Sequence, residues 1–178
     1  MFRLIEADAA NGTTRELLDT TRRQLGRVPN LYAAMANSPT ALASYLAFRG
    51  ELQHGVLDTK TRERIALLVA ELNDCDYCVA AHTFRGGKIG ITSQDLLDTR
   101  RVHSDDVKTQ AALRFVAAVT ERRDAEVQAT RDAALHAGWT EAEIGEMVGH
   151  VALNVFSNVF KQVAQPPLDF PAAPALAR

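Results

Sequence analysis

The sequence predicts an all-α protein, a single compact multi-helix domain, on three observations. Six prolines are present, yet none lies between Thr40 and Gln165, and proline is the residue that breaks helix interiors. Within that stretch apolar residues recur three and four positions apart instead of alternating, which is the period of a helix with one buried face. The chain has 178 residues, 47% hydrophobic and 24% charged, the size and balance of one globular domain.

Each helix can be argued from its ends. Thr13-x-x-Glu16 has the capping pattern that opens a helix toward Leu25, and Gly26 ends it. Ser38 followed by Pro39 at the first helical position opens a second toward Leu52. Asp58 caps a third, Thr59 to Leu72, whose Ile65, Leu68, Val69 and Leu72 form an apolar stripe. Asn73-Asp74 interrupts it and caps the next helix, which carries Cys75, Cys78 and His82 and stops at Gly86-Gly87. Thr92 starts a short helix. Ser104 caps a segment through Leu113, Phe115, Val116 and Val119, and Asp124 to Ala137 is closed by Gly138. Thr140-x-x-Glu143 is a capping box for a last helix so apolar, from Ile144 to Phe160, that most of its surface must be covered. The helical domain is thus expected over residues 1–165. A Pro/Ala-rich tail at 166–178 is expected to be irregular, either extended on a surface or disordered.

Charge and cysteine content narrow the function classes. Twenty Lys and Arg against 22 Asp and Glu leave a formal charge of −2, with no basic excess for nucleic acid. The amino terminus lacks the apolar run of a signal peptide, and nowhere do eighteen apolar residues follow one another, so no membrane segment is expected. A cytoplasmic, reducing setting is the expectation. There a Cys-x-x-Cys is redox-active or metal-binding sooner than a structural staple. The only two cysteines are Cys75 and Cys78, a spacing that random placement would produce roughly once in 90 trials.

In a helix starting near Asp74, Cys78 and His82 lie one turn apart on one face, with Cys75 on the adjoining turn. A thiol becomes a nucleophile when ionised, and a helix amino terminus and a nearby histidine both favour the thiolate. Cys75 gains more from the helix dipole and Cys78 more from His82, so the residues alone leave the nucleophile open. Histidine needs a partner to fix its tautomer, for which Glu63 is the candidate carboxylate. The Asn73-Asp74 break lies between them, so helical-wheel angles cannot be carried across.

Glu63, eleven residues, Cys75-x-x-Cys78, three residues, His82 resembles the core motif of the alkylhydroperoxidase D-like group of the carboxymuconolactone decarboxylase superfamily. The likeness runs from Thr61 to Thr83. Upstream, Gly26-Arg27-Val28-Pro29-Asn30-Leu31-Tyr32 with Asn37-Ser38-Pro39 resembles the lead-in of the peroxidase-related members, so that roughly residues 20–165 are covered. The resemblance implies an all-helical homo-oligomer, a trimer or hexamer, acting as a thiol peroxidase on a hydroperoxide with no cofactor and no metal. It further implies that Cys78 is peroxidatic, Cys75 resolving, Glu63 and His82 the proton relay, and the reductant an external dithiol of lipoyl or thioredoxin-like type. One position departs: the best-known peroxidase members have a histidine immediately before the second cysteine, where this chain has Tyr77.

Other readings of the same residues belong beside these. Two buried small hydrophobes would explain the cysteines without chemistry. Glu63, Cys75, Cys78 and His82 also make a zinc-type ligand set, although three ligands on one helical stretch strain a tetrahedral site. A lactone decarboxylase is a further alternative from the same superfamily, but those members work without the cysteine pair. A non-catalytic redox sensor is another. His54, His103 and His136 read as surface residues, while Tyr32, Tyr45, Phe48 and Trp139 read as core. His150, Asn154, Asn158 and Lys161 form a polar stripe read as the wet side of the last helix, the alternative being a face turned to the active site or a subunit interface.

Overall fold

A computed structural model describes residues 1–176. Among them the regular structure is helical throughout: after a 3-10 turn at Ala7–Ala9 come α1 (Gly12–Leu25), α2 (Asn30–Met35), α3 (Pro39–Gln53), α4 (Thr59–Leu72), α5 (Asp76–Lys88), α6 (Ser93–Arg100), α7 (Val107–Thr120), α8 (Asp124–His136) and α9 (Glu141–Ala164). The all-α reading therefore stands. The chain divides into two units, one of Met1–Gln53 with Val159–Asp169, the other of His54–Asn158 with the segment from Phe170.

Capping chemistry sets most boundaries. Asp58 accepts from the Lys60 and Thr61 amides at 2.8 and 3.0 Å, and Thr92 from the Asp95 amide at 3.1 Å. Thr140 and Glu143 satisfy each other's amides reciprocally, at 2.7 and 3.2 Å, as the capping box requires. Other starts shift. The N-cap of α1 is Asn11 and not Thr13, that of α7 is Asp106 and not Ser104, and α5 runs through Gly86-Gly87 to Lys88. The short α2 has no counterpart in the sequence reading. Six residues are too few to display a helical period, and its burial of Leu31, Tyr32, Ala33, Ala34 and Met35 is tertiary in origin.

In the first unit, Tyr32 and Tyr45 are buried edge to face, with ring centroids 5.5 Å apart, whereas Phe48 is exposed. Gly26 ends α1 in the left-handed conformation at φ 75°. The stretch after α9 is fastened by Asp169, which accepts from the Asn30 amide at 3.0 Å and pairs with Arg27 at 3.0 Å.

The second unit holds the large apolar core and the site. Ile65, Leu68 and Val69 of α4 pack with Leu113, Val116 and Ala117 of α7, with Trp139, and with Met147 and Val151 of α9. Burying such side chains contributes roughly 1.5–3 kcal/mol each relative to exposure. Helix α4 thus stands at the centre, packed against α5, α6 and α7. Glu146 of α9 fixes the loop before α4: its carboxylate accepts from the Val56 and Leu57 amides at 2.7 and 3.0 Å, and a Cβ on Gly55 would overlap it. The polar stripe of α9 is not that helix's wet side, since His150, Asn154 and Asn158 are all buried. Asn154 donates to the His150 carbonyl at 2.7 Å and Asn158 Oδ1 accepts from Asn73 at 3.0 Å, so the stripe bonds within the protein, although Asn158 Nδ2 is buried with no hydrogen-bond partner among the described residues.

Candidate active site

The junction between α4 and α5 is built by the backbone. Asn73 caps α4, Asp74 adopts a left-handed φ of 50°, and the Cys75 amide reaches back to the Ala70 carbonyl at 2.9 Å while the Asp74 amide meets Glu71 O at 3.1 Å. This is a Schellman closure, which short polar residues such as Asp tolerate at the left-handed position. Cys75 is at once the closing residue of α4 and the N-cap of α5, its carbonyl accepting from the Val79 amide at 2.8 Å. The helix begins at Asp76, one residue beyond Cys75 and not before it. Cys78 therefore occupies the third position of the first turn, within reach of the helix dipole.

Cys75 and Cys78 are joined by a disulfide, with Cα atoms 5.3 Å apart. Both side chains are buried, at 2% and 3% exposure. His82 lies four residues beyond Cys78, on the same face of α5. Its Nδ1 sits 2.6 Å from Glu63 Oε1, and the two side chains are only 13% and 16% exposed. With Glu63 ionised, Nδ1 carries the hydrogen and donates it to the carboxylate, which leaves Nε2 as the basic nitrogen. Two of the four residues are thus covalently paired and the other two hydrogen-bonded. Among the described residues no group of three or more His, Cys, Asp or Glu side chains is placed to hold a metal ion. The thiols that a zinc site would need are bonded to each other.

Around this junction Arg64, next to Glu63, pairs with Asp95 at 3.9 Å and also favours the ionised forms of Asp58 and Asp106. Burial alone would raise the Asp58 carboxyl. Hydrogen bonds from the Thr61 hydroxyl and the Thr61 and Lys60 amides, with Arg64 beyond them, outweigh that and hold its pKa below the ordinary aspartate value. Asp106 is held low chiefly by the Thr109 hydroxyl and amide.

Tyr77, between the cysteines, is buried and meets the Phe170 ring edge-on, centroids 5.7 Å apart. Nothing in the sequence singles out Phe170, since the Pro/Ala-rich composition of the tail predicts only an irregular segment. His54, His103 and His136 are exposed, as expected. A surface groove of about 670 Å³ between α7 and α8, lined by Val107, Ala111, Arg114, Ala133 and His136 among others, includes none of the four residues. Among the described residues no helix is long and apolar enough to cross a membrane.

Residues 39–121 match the model of the carboxymuconolactone decarboxylase family. A search of the curated proteins finds no match. Among solved structures, the chain is similar to an alkylhydroperoxidase AhpD core, peroxidase-related protein of Ralstonia eutropha, at 21% identity and a TM-score of 0.81, covering 91% of this chain and 88% of that one. A peroxidase-related protein of Silicibacter sp. is similar at 23% identity and a TM-score of 0.75, with 92% and 90% covered. The debrominase Bmp8 in complex with 2,3,4-tribromopyrrole is similar at 16% identity and a TM-score of 0.80, with 94% and 90% covered.

Proposed function

From the match of residues 39–121 to the carboxymuconolactone decarboxylase family and the fold shared with the AhpD-core structure, we propose that the chain is a member of that superfamily and a thiol-dependent peroxidase. The observation that carries this reading is the conjunction of a Cys75–Cys78 disulfide at the start of α5 with a Glu63–His82 pair at 2.6 Å. It has the parts that a dithiol catalyst needs: two thiols close enough to form a disulfide, and a base whose tautomer is fixed.

In the cycle, His82 Nε2 takes the Cys78 thiol proton, and the thiolate attacks one oxygen of R–O–O–H. The O–O bond breaks, giving Cys78 sulfenic acid and R–OH, with the proton on His82 returned to the departing alkoxide. Cys75 then displaces water from the sulfenic acid to form the disulfide. An external dithiol, lipoyl-type or thioredoxin-like, restores both thiols by exchange and leaves as its own disulfide. Glu63 stabilises the imidazolium while it exists. No cofactor or metal enters.

Tyr77 favours a second oxidant for the same pair. With a phenol in place of the imidazole found there in the best-known peroxidase members, the relay is one imidazole shorter, and a haloaromatic compound of the kind bound in the debrominase structure is the alternative oxidant. Cys78 would take the halogen from carbon, the ring carbon would take a proton, and Cys75 would release halide as the disulfide forms.

A homo-oligomer, trimeric or hexameric, belongs to this proposal. Val148, Phe156, Val159 and Val163 stand on one face of α9 with 42–61% of their surface exposed, an apolar stripe that a second copy would cover.

The test is turnover of reduced protein with cumene hydroperoxide and dihydrolipoamide, alongside bromopyrrole with the same reductant. Many turnovers with the hydroperoxide are expected. Oxidation that stops after one disulfide per chain would replace catalysis by sensing, and bromide release with no peroxide turnover would favour the haloaromatic reading.

A further inference from the structure

The segment after Asp169 lies across both sides of the redox junction. The Phe170 ring meets Tyr77 at 5.7 Å with an interplanar angle of 87° and Phe84 at 6.1 Å. The Arg85 guanidinium lies 5.7 Å from its centroid. Tyr77, Phe84 and Arg85 share one face of α5, being seven and eight residues apart. Four residues further on, the Pro174 carbonyl accepts from Arg100 at 2.7 Å, and Arg100, buried, donates from Nε to Glu71 at 2.7 Å. Glu71 precedes Cys75 by four residues, and its carbonyl takes part in the closure of α4. One short strap thus ties the last turn of α4, through Arg100, to the first turns of α5.

We propose that Phe170 is a positioning residue for the Cys75–Cys78 pair, clamping Tyr77 so that the first turn of α5 is held in the form that suits the disulfide. The disulfide closes a four-residue ring that contains Tyr77, with its Cα ends 5.3 Å apart, and it fixes where the Tyr77 side chain leaves the helix. Opening the bond on reduction releases that constraint on the same turn, and under the proposal the contact on Tyr77 is then weaker in the reduced form than in the oxidised one. By linkage, a contact stronger in one state favours that state. The strap therefore stabilises the disulfide against reduction and couples release of the C-terminal segment to reduction. The inference rests on this pair cycling between dithiol and disulfide, and not on which oxidant drives it.

The equilibrium between the pair and a dithiothreitol redox buffer tests it without any peroxidase assay. Phe170→Ala is expected to shift that equilibrium toward the reduced protein by roughly 2- to 10-fold, the equivalent of one aromatic edge contact, with helix content by circular dichroism unchanged. Phe170→Tyr, which keeps the ring, is expected to restore the wild-type value. An unshifted equilibrium in a folded Phe170→Ala protein would overturn the proposal, as would an equal shift in Phe170→Tyr. Should Phe170→Ala fail to fold, hydrogen exchange of the wild-type protein decides. Amides of 170–176 and of Tyr77 to Val79 are expected to exchange faster together on reduction, and protection of 170–176 that is the same in both states would overturn the clamp.

Discussion

Glu63 Oε1 and His82 Nδ1 meet at 2.6 Å across α4 and α5, although nineteen positions and a left-handed residue separate them along the chain. The pair is shielded on both sides, so its charge is less screened than that of an exposed pair. Glu63→Gln keeps the size and removes the charge that favours the imidazolium. The rate of Cys78 oxidation by hydroperoxide is expected to fall about 100-fold, within the usual range for losing general-base assistance. Stopped-flow measurement across pH checks this, and a rate within twofold of wild type would remove Glu63 from the relay.

The two cysteines should fail differently. Cys78→Ser is expected to abolish peroxide consumption, whereas Cys75→Ser should still react once and stop at a sulfenic acid on Cys78, which dimedone labels. Mass spectrometry of the labelled peptide reads the outcome directly. Label on Cys75 in Cys78→Ser protein would exchange the two roles.

Acid stability should report the helix caps. Asp58, Asp106 and Glu143 all have pKa values below their ordinary ones. For Asp58 and Glu143 burial works against this, but hydrogen bonds from Thr61 and Lys60 in one case and from Thr140 in the other outweigh it; for Asp106 the Thr109 hydrogen bonds lead. A carboxylate whose folded pKa is depressed stabilises the fold above its unfolded pKa and loses that contribution as pH falls through the folded value. Asp58→Ala is therefore expected to cost about 1 kcal/mol near neutrality, and the gap from wild type should narrow as the pH drops below about 4. Urea unfolding at several pH values measures it, and a gap independent of pH would contradict the charge argument.

Glu146 holds the loop ahead of α4 by two amide hydrogen bonds. Glu146→Ala is expected to destabilise the protein by about 1–3 kcal/mol, because the Val56 and Leu57 amides lose their partner. Gly55→Ala should destabilise too, through overlap with that carboxylate. Combined with Glu146→Ala it should cost less than the sum, a non-additivity that a double-mutant cycle detects.

The exposed apolar face of α9 predicts association. Val159→Glu together with Val163→Glu is expected to shift the protein to a monomer by sedimentation while helix content is kept. A wild-type chain already monomeric at micromolar concentration would contradict it.

Local chemistry is why so much could be read early. The caps at Asp58, Thr92 and Thr140 depend on side chains two or three residues from the amides they satisfy, and the helix period depends on the neighbours within a turn. Cys75, Cys78 and His82 share a helix, so their adjacency needed no knowledge of the fold. The likeness in spacing from Glu63 to His82 supplied the roles.

What was read wrongly or missed is non-local. The stripe of His150, Asn154 and Asn158 has the pattern of a wet face, but tertiary packing buries it and Asn73 helps to satisfy it. The six residues of α2 carry no period of their own. Phe170 sits in a proline-rich tail with no pattern, and its partners lie more than eighty positions away.

By itself the sequence determined the helical class, most helix ends, and a dithiol at a helix start with a histidine one turn on. The tertiary structure alone decided that Glu63 meets that histidine and that the C-terminal strap reaches Tyr77. The physical reason is the left-handed residue at Asp74. It reverses the chain between α4 and α5, so the angle between their faces is set by packing against α6 and α7 and not by any count of residues.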